Sequence, residues 1–189
     1  MPLIILDRDG VINQDSDEFI KSPQEFVPLP GSLEAIARLN AAGYQVAVAT
    51  NQSGIGRGLF DLDTFHAMHQ KLDALLAEVG GHIDALAFCP HTPDAGCDCR
   101  KPAPGLLREI ADKLHADLKG VPVIGDSLRD LQSAQAVGAL PILVRTGKGE
   151  RCLRQLAGDT KLADVPVYSN LSAAVDALLA GTLKHSLDS

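Results

Sequence analysis

The chain has 189 residues, of which 46% are hydrophobic and 22% charged, a composition typical of one soluble globular domain with a sizeable core. Acidic residues outnumber basic ones by 24 to 17, and the formal net charge of −7 argues against nucleic acid or an anionic membrane as a partner. Neither a leading signal segment nor an apolar stretch long enough to span a bilayer stands out, which favours a cytoplasmic protein.

The first predicted element is a buried strand, an apolar run that begins at Leu3 and stops abruptly at two acids, Asp7 and Asp9. The carboxyl end of a parallel strand faces the crevice where α/β sheets bind ligands. Two carboxylates there could hold Mg²⁺ against a phosphate, so that Asp7 attacks phosphorus while Asp9 shuttles the proton of the leaving group. The alternative is that both acids merely end the strand in a solvated turn.

Further short β-type runs alternate with helical patterns, which predicts an α/β fold with a doubly wound, Rossmann-like parallel sheet. Ser32 is predicted to cap the first helix and Asp61 to open a long one. Because no repeat or linker interrupts the pattern, residues 1–183 are expected to form one domain, with 184–189 as a frayed tail. The connections are too short for a large cap domain, so the site is expected to be open. The other predicted strands are 45–50, 85–89, 122–125, 141–144 and an edge strand 165–168, and the other helices 104–115, 129–137 and 172–179.

Polar groups lie at or beyond the ends of three of these predicted strands. Thr50 and Asn51 end the second strand and can offer a hydroxyl and backbone N–H groups to phosphate oxygens. Lys101 comes after the third strand and could neutralise a transferring phosphoryl group. Asp126, with Asp130 a turn later, is suited to complete an oxygen-rich Mg²⁺ shell. Each has a plainer interpretation, as a strand-end threonine, a surface lysine and a helix cap.

The loop after the third strand contains three of the four cysteines. Cys89, His91, Cys97 and Cys99 present three thiols and an imidazole, a set that matches a closed tetrahedral Zn²⁺ site. Four protein ligands leave no open position for water, so the zinc is predicted to be structural. Binding of this kind is worth on the order of 10 kcal/mol in comparable small sites and could order a loop with little apolar content. Cys152 stands apart and is expected to be a buried or free thiol.

Together these segments resemble the haloacid dehalogenase (HAD) superfamily of phosphotransferases. The resemblance implies that Asp7 is the nucleophile, Asp9 the general acid/base, and Thr50 and Lys101 the groups that stabilise the phosphoryl group. It also implies that Asp7, the backbone carbonyl of Asp9 and Asp126 hold Mg²⁺. The four motifs that carry it read Asp7-Arg8-Asp9-Gly10-Val11, Thr50-Asn51, Lys101 and Gly125-Asp126-Ser127-Leu128-Arg129-Asp130.

The zinc loop, together with the stretch from Thr50 to Ile55 and Arg57-Gly58, looks like the D-glycero-D-manno-heptose 1,7-bisphosphate 7-phosphatase family. That family removes the 7-phosphate during synthesis of the nucleotide-activated heptose of lipopolysaccharide core or surface glycans. The related histidinol-phosphatase branch shares the zinc loop and is the alternative, as is another small sugar-phosphate phosphatase. The implied substrate contacts are Arg8, Asp15, Thr50, Asn51, Gln52, Ser53, Arg57, Arg100 and Lys101.

One departure concerns the loop after the first strand, where the family often carries a Gly-Tyr pair and this chain has residues 15–18, Asp-Ser-Asp-Glu. The preference for sugar and anomer therefore stays open. Arg57, Arg100, Arg145 and Lys148 lie near predicted strand ends and could clamp a second anionic group, although some are expected to be solvated surface charges.

The chain is expected to act as a monomer on a small-molecule sugar bisphosphate, without a nucleic-acid or membrane partner. A non-catalytic phosphate-sensing protein is the alternative from another functional class. The combination of Asp9, Lys101 and Asp126 beside Asp7 disfavours it, because a pure binder has no need of an acid/base.

Overall fold

The computed structural model describes residues 1–159 and 161–183. Its centre is a six-stranded sheet in the order β3-β2-β1-β4-β5-β6, and every pair of neighbours is parallel. This is the strand order of a doubly wound Rossmann-like sheet, as the alternation of elements predicts. The strands are β1 (Leu3–Leu6), β2 (Gln45–Asn51), β3 (Ala85–Cys89), β4 (Pro122–Gly125), β5 (Leu140–Val144) and β6 (Val167–Tyr168). The helices are α1 (Ser32–Ala41), α2 (Ser53–Gly56), α3 (Leu62–Glu78), α4 (Gly105–Leu114), α5 (Leu128–Ala136), α6 (Gly149–Leu156) and α7 (Leu171–Leu179).

Strand β1 is buried along its whole length because helices cover both faces of the sheet. Its side chains alternate between two hydrophobic clusters. Ile4 and Leu6 join the cluster that contains residues of α1, α3 and α7. Leu3 and Ile5 join the cluster that contains residues of α4 and α5. This alternation also decides where the next side chains along the chain point.

Most predicted boundaries agree with the structure, and one predicted cap is wrong. Asp61 caps α3 as expected, since its Oδ1 accepts a hydrogen bond from the Thr64 backbone N–H at 2.8 Å. Ser32 does not cap α1 but is its first helical residue. The cap is Gly31, whose φ of +81° favours glycine, and the buried Ser32 hydroxyl instead donates to the Val11 carbonyl at 2.8 Å.

Three elements differ from the sequence-based expectation. The predicted edge strand is reduced to the two residues of β6, and helices α2 and α6 were not predicted. Among the described residues, the connections that follow β1 and β3 contain no helix or strand beyond a 3₁₀ turn at Pro23–Glu25 and isolated bridges, so neither forms a large cap. In the same part of the chain, no helix is both long and apolar enough to cross a bilayer. The prediction of a frayed tail at 184–189 falls outside the described residues.

The order of the strands identifies the place for a ligand. From β1 the chain continues to β2 and β3 on one side, and β4, β5 and β6 lie on the other. The order in which successive strands are added to the sheet therefore reverses between β1 and β4, although all strands stay parallel. Ligands of open α/β sheets bind beyond the carboxyl ends of the strands at such a reversal. Asp7 follows β1 and Asp126 follows β4, so both acids lie at this point.

Candidate active site

A cleft of about 330 Å³ opens beyond the carboxyl ends of β1, β2 and β4. Its floor consists of the acids that follow β1 and β4, the threonine next to the last residue of β2, and the lysine of the loop after β3. All four segments that were predicted to carry chemistry thus meet in one cleft, as strand-end placement implies. The predicted residues that line it are Asp7, Asp9, Asp15, Thr50, Asn51, Gln52, Ser53, Arg57, Arg100, Lys101, Asp126 and Lys148.

Lys101 is almost completely buried at the bottom of the cleft. Its Nζ lies 3.0 Å from Asp7 Oδ1 and 2.7 Å from Asp130 Oδ1, and it donates to the Ala49 carbonyl at 2.6 Å. Burial alone would lower the pKa of Lys101, but the carboxylates of Asp130 and Asp7 outweigh it and raise the pKa above its ordinary value. The ammonium group is therefore a permanent positive charge next to Asp7.

Asp7 and Asp126 form the acidic part of the cleft. One carboxylate oxygen from each, together with one from Asp130, lie within 4.8 Å of one another. Burial raises the pKa of Asp7 to about 7, and the neighbouring Asp130 charge adds to the effect. Burial and the Asp7 charge likewise raise the pKa of Asp126 well above its ordinary value. Such an oxygen-only donor set suits a hard divalent cation such as Mg²⁺, which would relieve the repulsion between the carboxylates.

Asp130 has a different role from that of its two neighbours. Its Oδ2 accepts hydrogen bonds from the backbone N–H groups of Asp126 and Ser127 at 3.1 Å and from the Ser127 hydroxyl at 2.9 Å, which forms a capping box at the start of α5. Ser127, not Asp126, is thus the cap of this helix. The carboxylate of Asp126 lines the cleft, and its Oδ2 accepts a hydrogen bond from the Lys148 backbone N–H at 2.9 Å.

The Asp9 carboxylate is held by three side chains. Its Oδ1 accepts from Arg8 Nε at 2.8 Å and from Asn13 Nδ2 at 2.9 Å, and its Oδ2 accepts from Gln52 Nε2 at 3.2 Å. Burial raises the pKa of Asp9, but the charge and hydrogen bonds of Arg8 outweigh it, so that the pKa lies below its ordinary value. Gln52 also donates to the Thr50 hydroxyl at 2.9 Å and so joins the acid to the end of β2.

The four predicted zinc ligands form a compact cluster beside the cleft. The Sγ atoms of Cys89 and Cys99 are 3.0 Å apart, and His91 Nδ1 lies 3.4 Å from the first and 3.3 Å from the second. Cys97 Sγ completes the set 3.7 Å from that of Cys89. The Arg100 backbone N–H lowers the pKa of the Cys97 thiol to about 6, whereas burial raises the pKa of the Cys89 thiol and raises that of Cys99 to about 12. A Zn²⁺ ion would offset this by binding all three as thiolates. Three thiols and an imidazole at these separations fit a tetrahedral Zn²⁺ ion.

The comparisons with known proteins agree with this geometry. A polynucleotide kinase 3 phosphatase family model matches residues 3–129, and a HAD-hydrolase-like model matches residues 98–174. The D-glycero-beta-D-manno-heptose-1,7-bisphosphate 7-phosphatase of Pseudomonas putida is 55% identical over 95% of this chain and 100% of its own length. The enzyme of the same name from Bordetella bronchiseptica is 59% identical over 82% of this chain and 87% of its own. The chain belongs to the heptose 1,7-bisphosphate 7-phosphatase family of HAD-like phosphatases.

Solved structures support the same assignment. The crystal structure of D,D-heptose 1,7-bisphosphate phosphatase from B. bronchiseptica, complexed with magnesium and phosphate, has a TM-score of 0.91 and 54% identity. The alignment covers 96% of this chain and 99% of the other. The structure of the enzyme from Burkholderia thailandensis has a TM-score of 0.74 and 48% identity, with 95% and 99% coverage. The resemblance to HAD phosphatases and to this family, predicted from the motifs, is confirmed.

Two residues that were predicted to belong to the active site lie outside the cleft. Arg8 was expected to contact substrate, but it is fully buried and does not line the cleft. Alternation along the strand explains this, because Asp7 and Asp9 point to the cleft and the residue between them points into the core. Arg145 was expected near a second anion, but its side chain is more than half exposed and pairs with Glu150 at 3.3 Å outside the cleft.

The cleft also contains residues that the sequence did not indicate. Arg129 reaches it from the first turn of α5, and Phe19 forms part of its rim, where the Arg57 guanidinium stacks 5.4 Å from the ring centroid. Its position inside the fourth motif, one residue before Asp130, is the signal that could have pointed to Arg129. Lys148, a predicted cleft residue, pairs with Asp15 at 3.5 Å.

Asn51 lies at the site in an unexpected manner. Its side-chain amide donates to the Lys101 carbonyl at 3.3 Å and accepts from the Lys101 backbone N–H at 3.1 Å. The side chain therefore clasps the backbone of the buried lysine on both sides, in addition to lining the cleft. The end of β2 and the loop after β3 are tied together at this point.

Proposed function

We propose that this protein is a Mg²⁺-dependent phosphatase that removes the 7-phosphate of D-glycero-D-manno-heptose 1,7-bisphosphate through an aspartyl phosphate. The reaction would belong to the synthesis of nucleotide-activated heptose for lipopolysaccharide core or surface glycans. One observation carries the proposal. The Asp7 and Asp126 carboxylates and the Lys101 ammonium meet in one cleft, next to the separately held acid Asp9.

The residues present suggest a two-step reaction. Mg²⁺ would be held by the Asp7 and Asp126 carboxylates and the Asp9 backbone carbonyl, and it would supply positive charge against the transferring phosphoryl group. In the first step, Asp7 attacks phosphorus and the bond from phosphorus to the sugar oxygen breaks. That oxygen leaves with the electron pair and takes a proton from Asp9, which donates from its minor protonated form because its pKa is lowered.

In the second step, Asp9 takes a proton from a water molecule as that water attacks the phosphorus. The bond from phosphorus to Asp7 breaks, which releases inorganic phosphate and restores both carboxyl groups. Lys101 and the Thr50 hydroxyl stabilise the charge of the phosphoryl oxygens in both steps. Phosphate monoester hydrolysis requires a barrier reduction on the order of 20 kcal/mol, and this is supplied chiefly by positioning and charge.

A second phosphate on the substrate would meet the cationic side of the cleft. Arg57, Arg100 and Lys148, predicted for this purpose, line the cleft together with Arg129. Guanidinium groups suit phosphate because their planar donors bind two of its oxygens at once. We assign this side to the 1-phosphate, while the 7-phosphate lies at Asp7.

A substrate panel tests the proposal. Phosphate release is measured with both anomers of heptose 1,7-bisphosphate, with histidinol phosphate and with a 3′-phosphorylated oligonucleotide, the last because residues 3–129 match the polynucleotide phosphatase model. We expect a marked preference for the bisphosphate, and for its β anomer because the relatives are named for it. A preference for histidinol phosphate or the oligonucleotide would overturn the substrate assignment, and no release from any of them would overturn the activity.

We also propose a metal content and an oligomeric state for the protein. Cys89, His91, Cys97 and Cys99 would hold one structural Zn²⁺, and the unpaired thiols fit the reducing cytoplasm. We further propose a monomer that binds a small molecule and neither nucleic acid nor membrane. Elemental analysis and light scattering on the purified protein test these points, and a stable dimer or a zinc content near zero would contradict them.

A further inference from the structure

The residue between the two catalytic acids is a fully buried arginine. The Arg8 guanidinium carbon lies 5.4 Å from the centroid of the Phe26 ring and 5.7 Å from that of Phe65. Its Nη1 lies 3.8 Å from Met68 Sδ and 3.3 Å from His69 Nε2. Apart from the histidine, these neighbours are the apolar side chains of the layer between the sheet and helix α3. An arginine in such surroundings requires an explanation.

The stability of the fold does not explain it. A charge in an apolar core is costly unless it is paired, and an apolar side chain of similar volume is often as stable or more so. The carboxylate that pairs with Arg8 is Asp9, at 2.8 Å. In the described part of the chain, Arg8 Nη2 has no hydrogen-bond partner. The charge is thus retained at a position where leucine or methionine would fill the same space.

His69 fixes the far end of the guanidinium without competing for it. Burial and the Arg8 charge lower the pKa of His69 to about 3, so the imidazole is neutral. Arginine has only donors, so His69 Nε2 accepts the hydrogen bond from Arg8 Nη1. The guanidinium plane is therefore held at two ends, by a neutral acceptor in the core and by the Asp9 carboxylate at the cleft.

The same contact fixes the orientation of Asp9. Its Oδ1 accepts two hydrogen bonds, from Arg8 and Asn13, whereas Oδ2 accepts one, from Gln52. Oδ2 thus keeps the greater spare capacity for a proton, on a residue that lines the cleft where the leaving oxygen would lie. A carboxylate free to rotate would spend much of its time away from this geometry.

We propose that Arg8 is a positioning residue, whose buried guanidinium holds the Asp9 carboxylate so that Oδ2 faces the leaving-group oxygen. This inference rests on the phosphatase activity proposed above and adds a role for a residue that the substrate does not touch. The proposed role can be tested with the leaving group, because some leaving groups need a proton from Asp9 and others need only the attack by Asp7. A primary alkoxide is a poor leaving group and needs the proton of Asp9, whereas an acidic phenol leaves without it.

The test compares these two kinds of leaving group. The ratio kcat/KM reports the steps through departure of the leaving group, and it is measured for heptose 1,7-bisphosphate and for p-nitrophenyl phosphate with the wild-type protein and Arg8→Met. A positioned general acid contributes roughly 100-fold or more. We therefore expect Arg8→Met to lose about 100-fold on the sugar phosphate and only a few-fold on the aryl phosphate. The same substitution added to Asp9→Asn is expected to cost little more.

Lys71→Met is the matched control. Lys71 donates to the carbonyls of Pro23 and Phe26 at 2.7 and 2.8 Å, so it is a second cation next to the same aromatic layer but away from Asp9. We expect Lys71→Met to change kcat/KM for both substrates by the same factor. An equal loss on both substrates for Arg8→Met would overturn the inference and leave the phosphatase assignment intact. If that variant does not fold, Arg8→Lys replaces it, because an ammonium lacks the planar donors, and an unchanged ratio between the substrates would then count against the inference.

A wild-type protein that releases phosphate from neither compound contradicts the proposed function itself, so the two failures are distinguishable. Melting temperature and zinc content measured on each variant show whether the fold is retained. A loss of stability alone would lower both activities together and cannot produce the expected difference between the leaving groups.

Discussion

The Nζ atom of Lys101 lies 3.0 Å from the Oδ1 atom of Asp7, although 94 positions of the sequence separate the two residues. A second carboxylate, that of Asp130, holds the same ammonium at 2.7 Å. The lysine thus joins the strand end of β1 to the first turn of α5. Its charge is paired with two buried acids, one of which is the carboxylate that would attack phosphorus.

Lys101→Met is expected to reduce kcat by a factor on the order of 100 to 1,000, since it removes a buried positive charge next to the transferring phosphoryl group. It also leaves the buried carboxylate of Asp130 without its partner, which costs about 3 kcal/mol of the free energy of unfolding. Steady-state kinetics and urea unfolding check the two effects. Lys113→Met is the control, because Lys113 is exposed and pairs with Glu109 far from the cleft. Retention of wild-type kcat by Lys101→Met would exclude the lysine from the reaction.

The convergence of Asp7, Thr50, Lys101 and Asp126 could be predicted because it follows from topology. Buried parallel strands read as continuous apolar runs, and their carboxyl ends share one edge of the sheet. The partner of Lys101 could not be predicted in the same manner. Asp130 was recognised only as an acid a turn after Asp126, and its contact with the lysine depends on where α5 begins. Ser127 and Asp130 settle that point through a capping box.

Other omissions have physical reasons as well. Helix α6 buries only Gly149, Cys152 and Leu156, so its apolar stripe is too narrow to stand out in a polar segment. Arg8 could have been assigned to the core from strand alternation alone. The motif instead drew attention to its two acidic neighbours, and an arginine beside a phosphate site suggests a phosphate contact.

The pH dependence of stability follows from Asp7. Burial raises its pKa in the folded protein to about 7, against an ordinary value of 3.8. The folded state therefore prefers the protonated acid, and this stabilisation is fully present below the ordinary pKa and is lost as the pH rises through about 7. In magnesium-free buffer the melting temperature is expected to fall over this range.

Added Mg²⁺ is expected to reverse that trend, because the ion binds the deprotonated carboxylates. It should raise the melting temperature more at about pH 8 than at about pH 5. Asp7→Asn serves as the control, since it removes one of the two carboxyl groups whose pKa is raised and should make the profile shallower, with Asp126 left to titrate. A melting temperature that is independent of pH in the wild-type protein without Mg²⁺ would contradict the origin assigned to the shift.

Loss of zinc is expected to impair catalysis through the backbone that the ion orders. Cys99 lies two residues before Lys101, whose backbone is clasped by Asn51. Cys99→Ser should lower the zinc content, the melting temperature and kcat together, because the loop loses a stabilisation on the order of 10 kcal/mol in comparable sites. Cys152→Ala is the control, since Cys152 is buried apart from the cluster and its substitution should leave the zinc content unchanged. Full activity of a zinc-free protein would separate the ion from the positioning of Lys101.

Gly147 is the final case, because its lack of a side chain lets two loops meet at Asp126. The residue has a φ of +57°, and a Cβ atom there would lie 2.5 Å from the Gly10 Cα and still closer to Asp126 Oδ2. Gly147→Ala is therefore expected to displace the Asp126 carboxylate and to raise the Mg²⁺ concentration needed for half-maximal activity by about tenfold, which corresponds to a loss of about 1.4 kcal/mol in binding.

Gly138→Ala separates this displacement from backbone strain. Gly138 has a φ of +70°, and a Cβ atom added there meets nothing within 4 Å. Both variants are thus expected to lose about 1 kcal/mol of stability because alanine is strained in the left-handed region. Gly147→Ala should lose more, since its Cβ also clashes with Gly10 and Asp126. Only Gly147→Ala should change the Mg²⁺ dependence, measured by titrating activity with the metal. An equal Mg²⁺ requirement in the two variants would mean that Asp126 does not need this close approach to hold the ion.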